Sequence, residues 1–171
     1  LERLFYQSMM MTALQGGFLD ETLQGSAVRR IRTDLFPAAL AVLDEARRRF
    51  PDDPGIAAAA FRFERKAVVL YFARREDAAA HALWERRFGG TGGADALRRF
   101  VQEQAEQGML TESTFLGELH ALLVEAGFAR QRGEALDADR RETIAAWLYQ
   151  GMVRRLAEDG MAPPITLDQI R

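Results

Sequence analysis

The sequence predicts an all-α protein, a helical bundle of six to seven helices. Two observations predict it. Apolar side chains recur every three to four residues along most of the chain, with β-branched runs nearly absent, and the periodic stretches end at Gly, Pro and Asp stops.

Leu1, Leu4, Phe5, Met9, Met11 and Leu14 give a first helix with a broad apolar face, ended by Gly16 and Gly17. Asp20 is a suitable N-cap for a second helix carrying Leu23, Ala27, Val28 and Ile31. Thr33 or Asp34 caps a third, with Pro37 in its first turn and a stripe of Leu40, Leu43, Ala46 and Phe50. The run Pro51-Asp52-Asp53-Pro54-Gly55 stops it. A long apolar helix then spans about 56–74. Its residues Ala59, Ala60, Phe63, Ala67, Leu70 and Tyr71 form one face, and Phe61, Val68, Val69 and Phe72 spread apolar character around the rest. A helix apolar nearly all round is usually central. No Gly or Pro separates it from Asp77 to Phe88, so the stretch is either continuous to 88 or two helices bending at Arg74 to Asp77.

Gly89 to Gly93 reads as a flexible loop. Helices follow through Ala94, Leu97, Phe100, Val101 and Ala105, and, capped by Thr111, through Phe115, Leu116, Leu119, Leu122 and Leu123. Phe128 to Leu136 is polar and reads as irregular. Asp137 or Asp139 starts the last long helix, with Ile144, Leu148, Met152, Val153 and Leu156, and Gly160 ends it. The predicted organisation is one helical domain, 1–160, followed by an extended tail, 161–171, with Pro163-Pro164.

The 171 residues suffice for an ordinary core without metal or disulfide. There is no cysteine, which excludes thiol catalysis and thiolate metal sites and fits a cytoplasmic location. A net charge of −2, with 23 basic and 25 acidic residues, does not indicate nucleic acid as a partner. No stretch approaches the roughly 20 apolar residues of a membrane span. Lys66 is the only lysine, so the positive charge is nearly all arginine.

Ala38 to Pro54 resembles the second helix of a tetratricopeptide unit, and Gly108 to Leu123 is similar to the short helical hairpin of the SHOCT family. Neither resemblance implies a chemistry. His81 and Glu85 lie four apart, the spacing of one helix face, but no HExxH or carboxylate–histidine set accompanies them, so no metal site or cofactor is expected. Ala79-Ala80-His81-Ala82-Leu83, followed by Gly93-Ala94-Asp95-Ala96-Leu97, resembles the histidine-containing phosphotransfer domain. That resemblance implies His81 as a phosphoacceptor on a helical bundle, although Trp84 and Glu85 stand where the family has Lys and Gly.

Ser8, Ser26 and Ser113 lack a nucleophile context, and the glycine run lacks the Lys-Ser/Thr of a phosphate loop, so no catalytic residue is assigned. Glu64, set in an apolar helix beside Arg62, Arg65 and Lys66, is either a perturbed functional acid or an arginine's partner. Phe5, Met9, Met10 and Met11, with Phe63 and Tyr71, are candidates for an adaptable apolar pocket. Trp84, Phe88 and Trp147 are interface-type aromatics. The leading expectation is a non-enzymatic interaction module that binds a protein partner or a second copy of itself. The alternatives are a sensor of a small apolar ligand, with an apolar cavity near Met9 to Met11 and Phe63 to Phe72, in a regulator whose DNA-binding part precedes Leu1, and a phosphotransfer bundle using His81.

Overall fold

The computed structural model describes residues 32–107, 112–162 and 166, with backbone alone for 112–118. Among these the protein is an all-α helical bundle without a strand. A 3-10 turn, Thr33–Leu35, precedes six α-helices: α1 (Phe36–Arg49), α2 (Pro54–Ala73), α3 (Asp77–Phe88), α4 (Ala94–Glu106), α5 (Glu112–Gln131) and α6 (Ala135–Glu158). The methionine-rich first helix, the helix from Asp20, the Thr111 cap and the tail prolines lie outside the described residues. No described helix is long and apolar enough to cross a membrane. The chain divides into two compact units, residues 1–67 and 68–171.

In the first unit, α1 buries Phe36, Ala39, Leu40, Leu43 and Ala46, the stripe its helical period requires. Phe36 meets Phe63 of α2 edge to face, with centroids 5.6 Å apart. Thr33 and Asp34 do not cap α1. They form the 3-10 turn, and Leu35 holds the cap position without a side-chain bond. An Asp34 cap would seek the N–H of position N2 or N3; N3 is Pro37, which has none, and the carboxylate pairs with Arg32 at 2.6 Å instead. Asp53 does cap α2, its Oδ1 accepting from the N–H groups of Gly55 (2.8 Å) and Ile56 (3.2 Å) ahead of the apolar run. The run read as a stop is therefore also a start.

Glu64 is buried and takes both guanidinium nitrogens of Arg47, at 2.7 and 3.1 Å. This bidentate pair is the arrangement that lets a carboxylate leave water.

The second unit takes in Val68 to Ala73, every one of them buried. The stretch 56–88 is two helices, not one. After Ala73 the Glu76 N–H bonds the Tyr71 carbonyl (2.9 Å) and the Arg75 N–H bonds the Phe72 carbonyl (3.1 Å), the paired bonds of a Schellman ending. α3 runs from there to Phe88. The glycines that follow make specific contacts. Gly90 lies so close to Trp84 that an added Cβ would come within 2.2 Å of the indole, and His81 reaches the Gly92 carbonyl.

α6 packs along both α4 and α5. Phe128 to Gln131 is the last turn of α5, and α6 begins at Ala135, two residues before Asp137, so only Arg132 to Glu134 leave the helical path. The polarity of this segment is that of an exposed hairpin corner. Its small buried face, Ala126, Ala129 and Ala138, carries the packing, while Arg130 binds Asp139 and Glu142 at 3.0 and 2.9 Å on the outside. Beneath lies a charged cluster in which Glu125 stands 3.4 Å from Arg141 and 3.5 Å from Arg74.

Candidate functional site

Three described helices end in the same hydrogen-bond pattern, which demands a left-handed residue one position past the cap. Gly133 (φ 77°) fills it after α5 and Gly160 (φ 71°) after α6. After α2 it is Arg75 (φ 59°), the only non-glycine with positive φ among the described residues. A side chain there costs roughly 1 kcal/mol that glycine would avoid. Such strain persists where the surroundings or a function require the side chain.

The Arg75 side chain lines a cleft of about 470 Å³ that lies wholly within the second unit. The last turn of α2 contributes Phe72. The first two turns of α3 and α4 contribute Asp77 and His81, and Asp95 and Arg98. One face of α6 brings Leu136, Asp139, Arg140, Thr143, Ile144 and Trp147, whose spacing of three to four residues aligns them. Ile144 and Leu97 are buried beneath it, whereas Leu136 is 69 % exposed at its edge.

Two guanidinium–aromatic pairs belong to the lining. Arg140 lies 4.5 Å from the Phe72 ring centroid, donates to Asp77 and contacts the Phe72 carbonyl at 3.4 Å. Arg98 lies 5.9 Å from the Trp147 centroid. The remaining charges are mostly matched. Arg75 binds Asp137 at 2.9 Å, and Asp139 is held by Arg130. Among the described residues Arg98 has no carboxylate partner. Asp95, in the first turn of α4, has no basic partner among the described residues and serves the helix dipole there.

His81 is part of this lining, at one side. Its Nε2 lies 3.1 Å from the Gly92 carbonyl, to which it can only donate, and its Nδ1 lies 3.4 Å from Glu85. Accepting a phosphoryl group on Nε2 would require that bond to open first. The imidazole also stands edge-on to Trp84, with centroids 5.5 Å apart. Thr143, the one hydroxyl of the lining, donates to the Asp139 carbonyl at 2.8 Å. No group of three or more potential metal ligands occurs among the described residues.

The other residues singled out in the sequence fall in separate places. Trp147 joins His81 at the cleft. Trp84 and Phe88 pack on Phe100, at 5.9 and 5.2 Å. Phe63 is core of the first unit. Tyr71 is buried in the second, its hydroxyl pushed up to about 12 by burial and then by Glu76. Phe5, Met9, Met10 and Met11 lie outside the described residues. Sequence reasoning missed Arg75, Arg98 and Arg140. Each looks like one more arginine on a polar face, and only the turn geometry at 75 and the stacking at 98 and 140 set them apart.

Replacing Arg75 by glycine separates a structural from a functional role. The exchange relieves the left-handed strain and removes a half-exposed ion pair, which is worth at most about 1 kcal/mol. Unfolding free energy by urea titration is expected to stay within about 1 kcal/mol of wild type. A loss of 2 kcal/mol or more would make Arg75 a structural clamp.

No protein-family model, curated protein or solved structure matches this chain, so the cleft's own chemistry is what bears on function.

Proposed function

We propose that this protein is a non-enzymatic recognition module that holds a small-molecule ligand in the cleft formed by α2, α3, α4 and α6. The carrying observation is the cleft itself, about 470 Å³ within the second unit, with Trp147 in its lining beside an Arg98 that has no carboxylate partner among the described residues. The volume lies in the range of small-ligand sites, and the lining combines buried aliphatic, aromatic and a few fixed polar groups, as such sites do. Its two best candidates for chemistry, His81 and Thr143, already bond backbone carbonyls, which suits holding a ligand rather than transforming it.

Self-association through the apolar helix has less support. The surplus apolar surface expected of 56–74 is largely covered within a single chain: Phe63 and Ala67 to Ala73 are buried, and Phe61 alone of its large apolar residues is exposed, with Arg65 over its ring at 5.4 Å.

The test is a fragment library with anionic, neutral and cationic aromatic members, read by two-dimensional NMR and thermal shift. Binding to the native state alone raises stability. Fragments of at least one charge class are expected to move the Trp147 indole N–H and the backbone amides of 136–147 together, while light scattering shows a monomer. If no class perturbs these signals, or the perturbations map elsewhere, the proposal fails.

A further inference from the structure

Resting on that reading, we infer that the cleft's ligand is a flat aromatic or similarly apolar acid, whose anionic group is held by Arg98 and whose ring lies against Trp147. The cleft's charges single out this guanidinium. Arg140 is engaged by Asp77 and the Phe72 carbonyl, and Arg75 by Asp137, so neither can give a full fork of donors without leaving its partner. Arg98 is stacked on Trp147 and has no carboxylate partner among the described residues. Its planar array of donors suits the two oxygens of a carboxylate or the oxygens of a phosphate ester.

The apolar half of the ligand follows from the other walls. Trp147 is half-buried, so part of its indole is open to a ring beside Arg98, while Ile144 and Leu97 of the lining are buried. A ring laid against Trp147 would leave its charged group beside Arg98.

Asp95, also in the lining and three residues before Arg98, sets the polarity of the test. If the ligand is an anion, Asp95 opposes it and Arg98 attracts it. If the ligand is a cation, the roles reverse.

The experiment uses the full chain and three probes of one shape: 2-naphthoate, 2-naphthamide and 2-naphthylmethylammonium. Affinities are measured by calorimetry for wild type, Arg98→Gln and Asp95→Asn. Both residues are exposed, so both variants should fold, which circular dichroism and the melting temperature check. A charged hydrogen-bonded pair is worth enough to expect naphthoate about tenfold tighter than naphthamide in the wild type. Arg98→Gln should abolish that preference, bringing naphthoate and naphthamide to the same affinity. Asp95→Asn should tighten naphthoate severalfold. Naphthyl phosphate, run beside naphthoate, tells a carboxylate from a phosphate site.

Equal binding of acid and amide, tighter binding of the ammonium probe, or a naphthoate affinity unmoved by Arg98→Gln each overturns the inference. If other members of the fragment library still bind the cleft, the recognition reading survives that result. If nothing binds there, both fall.

Discussion

Alanine in place of Gly151 is expected to destabilise the protein by about 2 kcal/mol, or more if the helices cannot part. Gly151 lies about two-thirds of the way along α6, where that helix crosses the end of α4. A Cβ added there would sit 2.5 Å from the Glu106 carbonyl oxygen, 2.8 Å from its carbon and 2.9 Å from the Ala105 oxygen. These are backbone atoms, so no rotamer change can relieve the contact and the helices must separate. Separation also weakens the bonds that flank the crossing, Arg154 to Glu106 at 3.3 Å and Arg155 to the Gln107 carbonyl at 3.0 Å. Alanine's better helix propensity returns up to about 1 kcal/mol, which is less than the overpacking removes. Gly127 of α5 is the control: it is exposed and has nothing within 4 Å of an added Cβ. Gly127→Ala should stabilise by up to about 1 kcal/mol. Urea unfolding of the two variants should therefore give changes of opposite sign, and equal effects would refute the close crossing.

Lys66 carries the second large effect. It is only 8 % exposed, and burial lowers its ammonium to about 8. With the unfolded value near 10.5, the unfolded chain binds more protons than the native one between these limits. Stability attributable to this residue therefore rises with pH from about 8 to about 10.5, and below pH 8 the full burden of a buried charge is present. A shift of this size corresponds to roughly 3 kcal/mol. Lys66→Met keeps the length and removes the charge, so it should raise stability at pH 7 by about 2 kcal/mol once the lysine's own contacts are discounted. The gain should shrink as wild type is titrated toward pH 10.5. Denaturant unfolding at pH 7, 9 and 10.5 measures it, and a variant less stable than wild type at pH 7 would show that contacts of the ammonium outweigh its burial.

Much of the helical architecture was legible because its signals are local. Period-3.6 burial of Leu40, Leu43 and Ala46, the arrest at Pro51 to Gly55 and the left-handed glycine at 160 all act within one or two turns of chain. The errors arose where a local rule had competition. The Asp34 cap lost to Pro37's missing donor and to Arg32. The corner at 128–136 read as irregular because its packing face is three alanines, too small to register as an apolar stripe. The break at 74–76 carries no glycine, and an arginine in a left-handed turn is invisible to composition. At the candidate site His81 and Trp147 were legible as unusual residue types. Arg75, Arg98 and Arg140 were not, because their distinction lies in neighbours far along the chain.

By itself the sequence determined that this chain is helical: periodicity, caps and stops are properties of residues within a few positions of one another, and water enforces them wherever the helices end up. What each helix meets was decided only in the tertiary structure. Gly127 and Gly151 are the same residue in the same kind of segment, yet one faces solvent and the other a carbonyl of α4. Lys66 is an ordinary lysine until it is enclosed, and Arg98 is a surface cation until Trp147 comes beneath it. Steric exclusion, desolvation and stacking depend on which surfaces are brought to within a few ångströms, and no spacing along one chain encodes that directly.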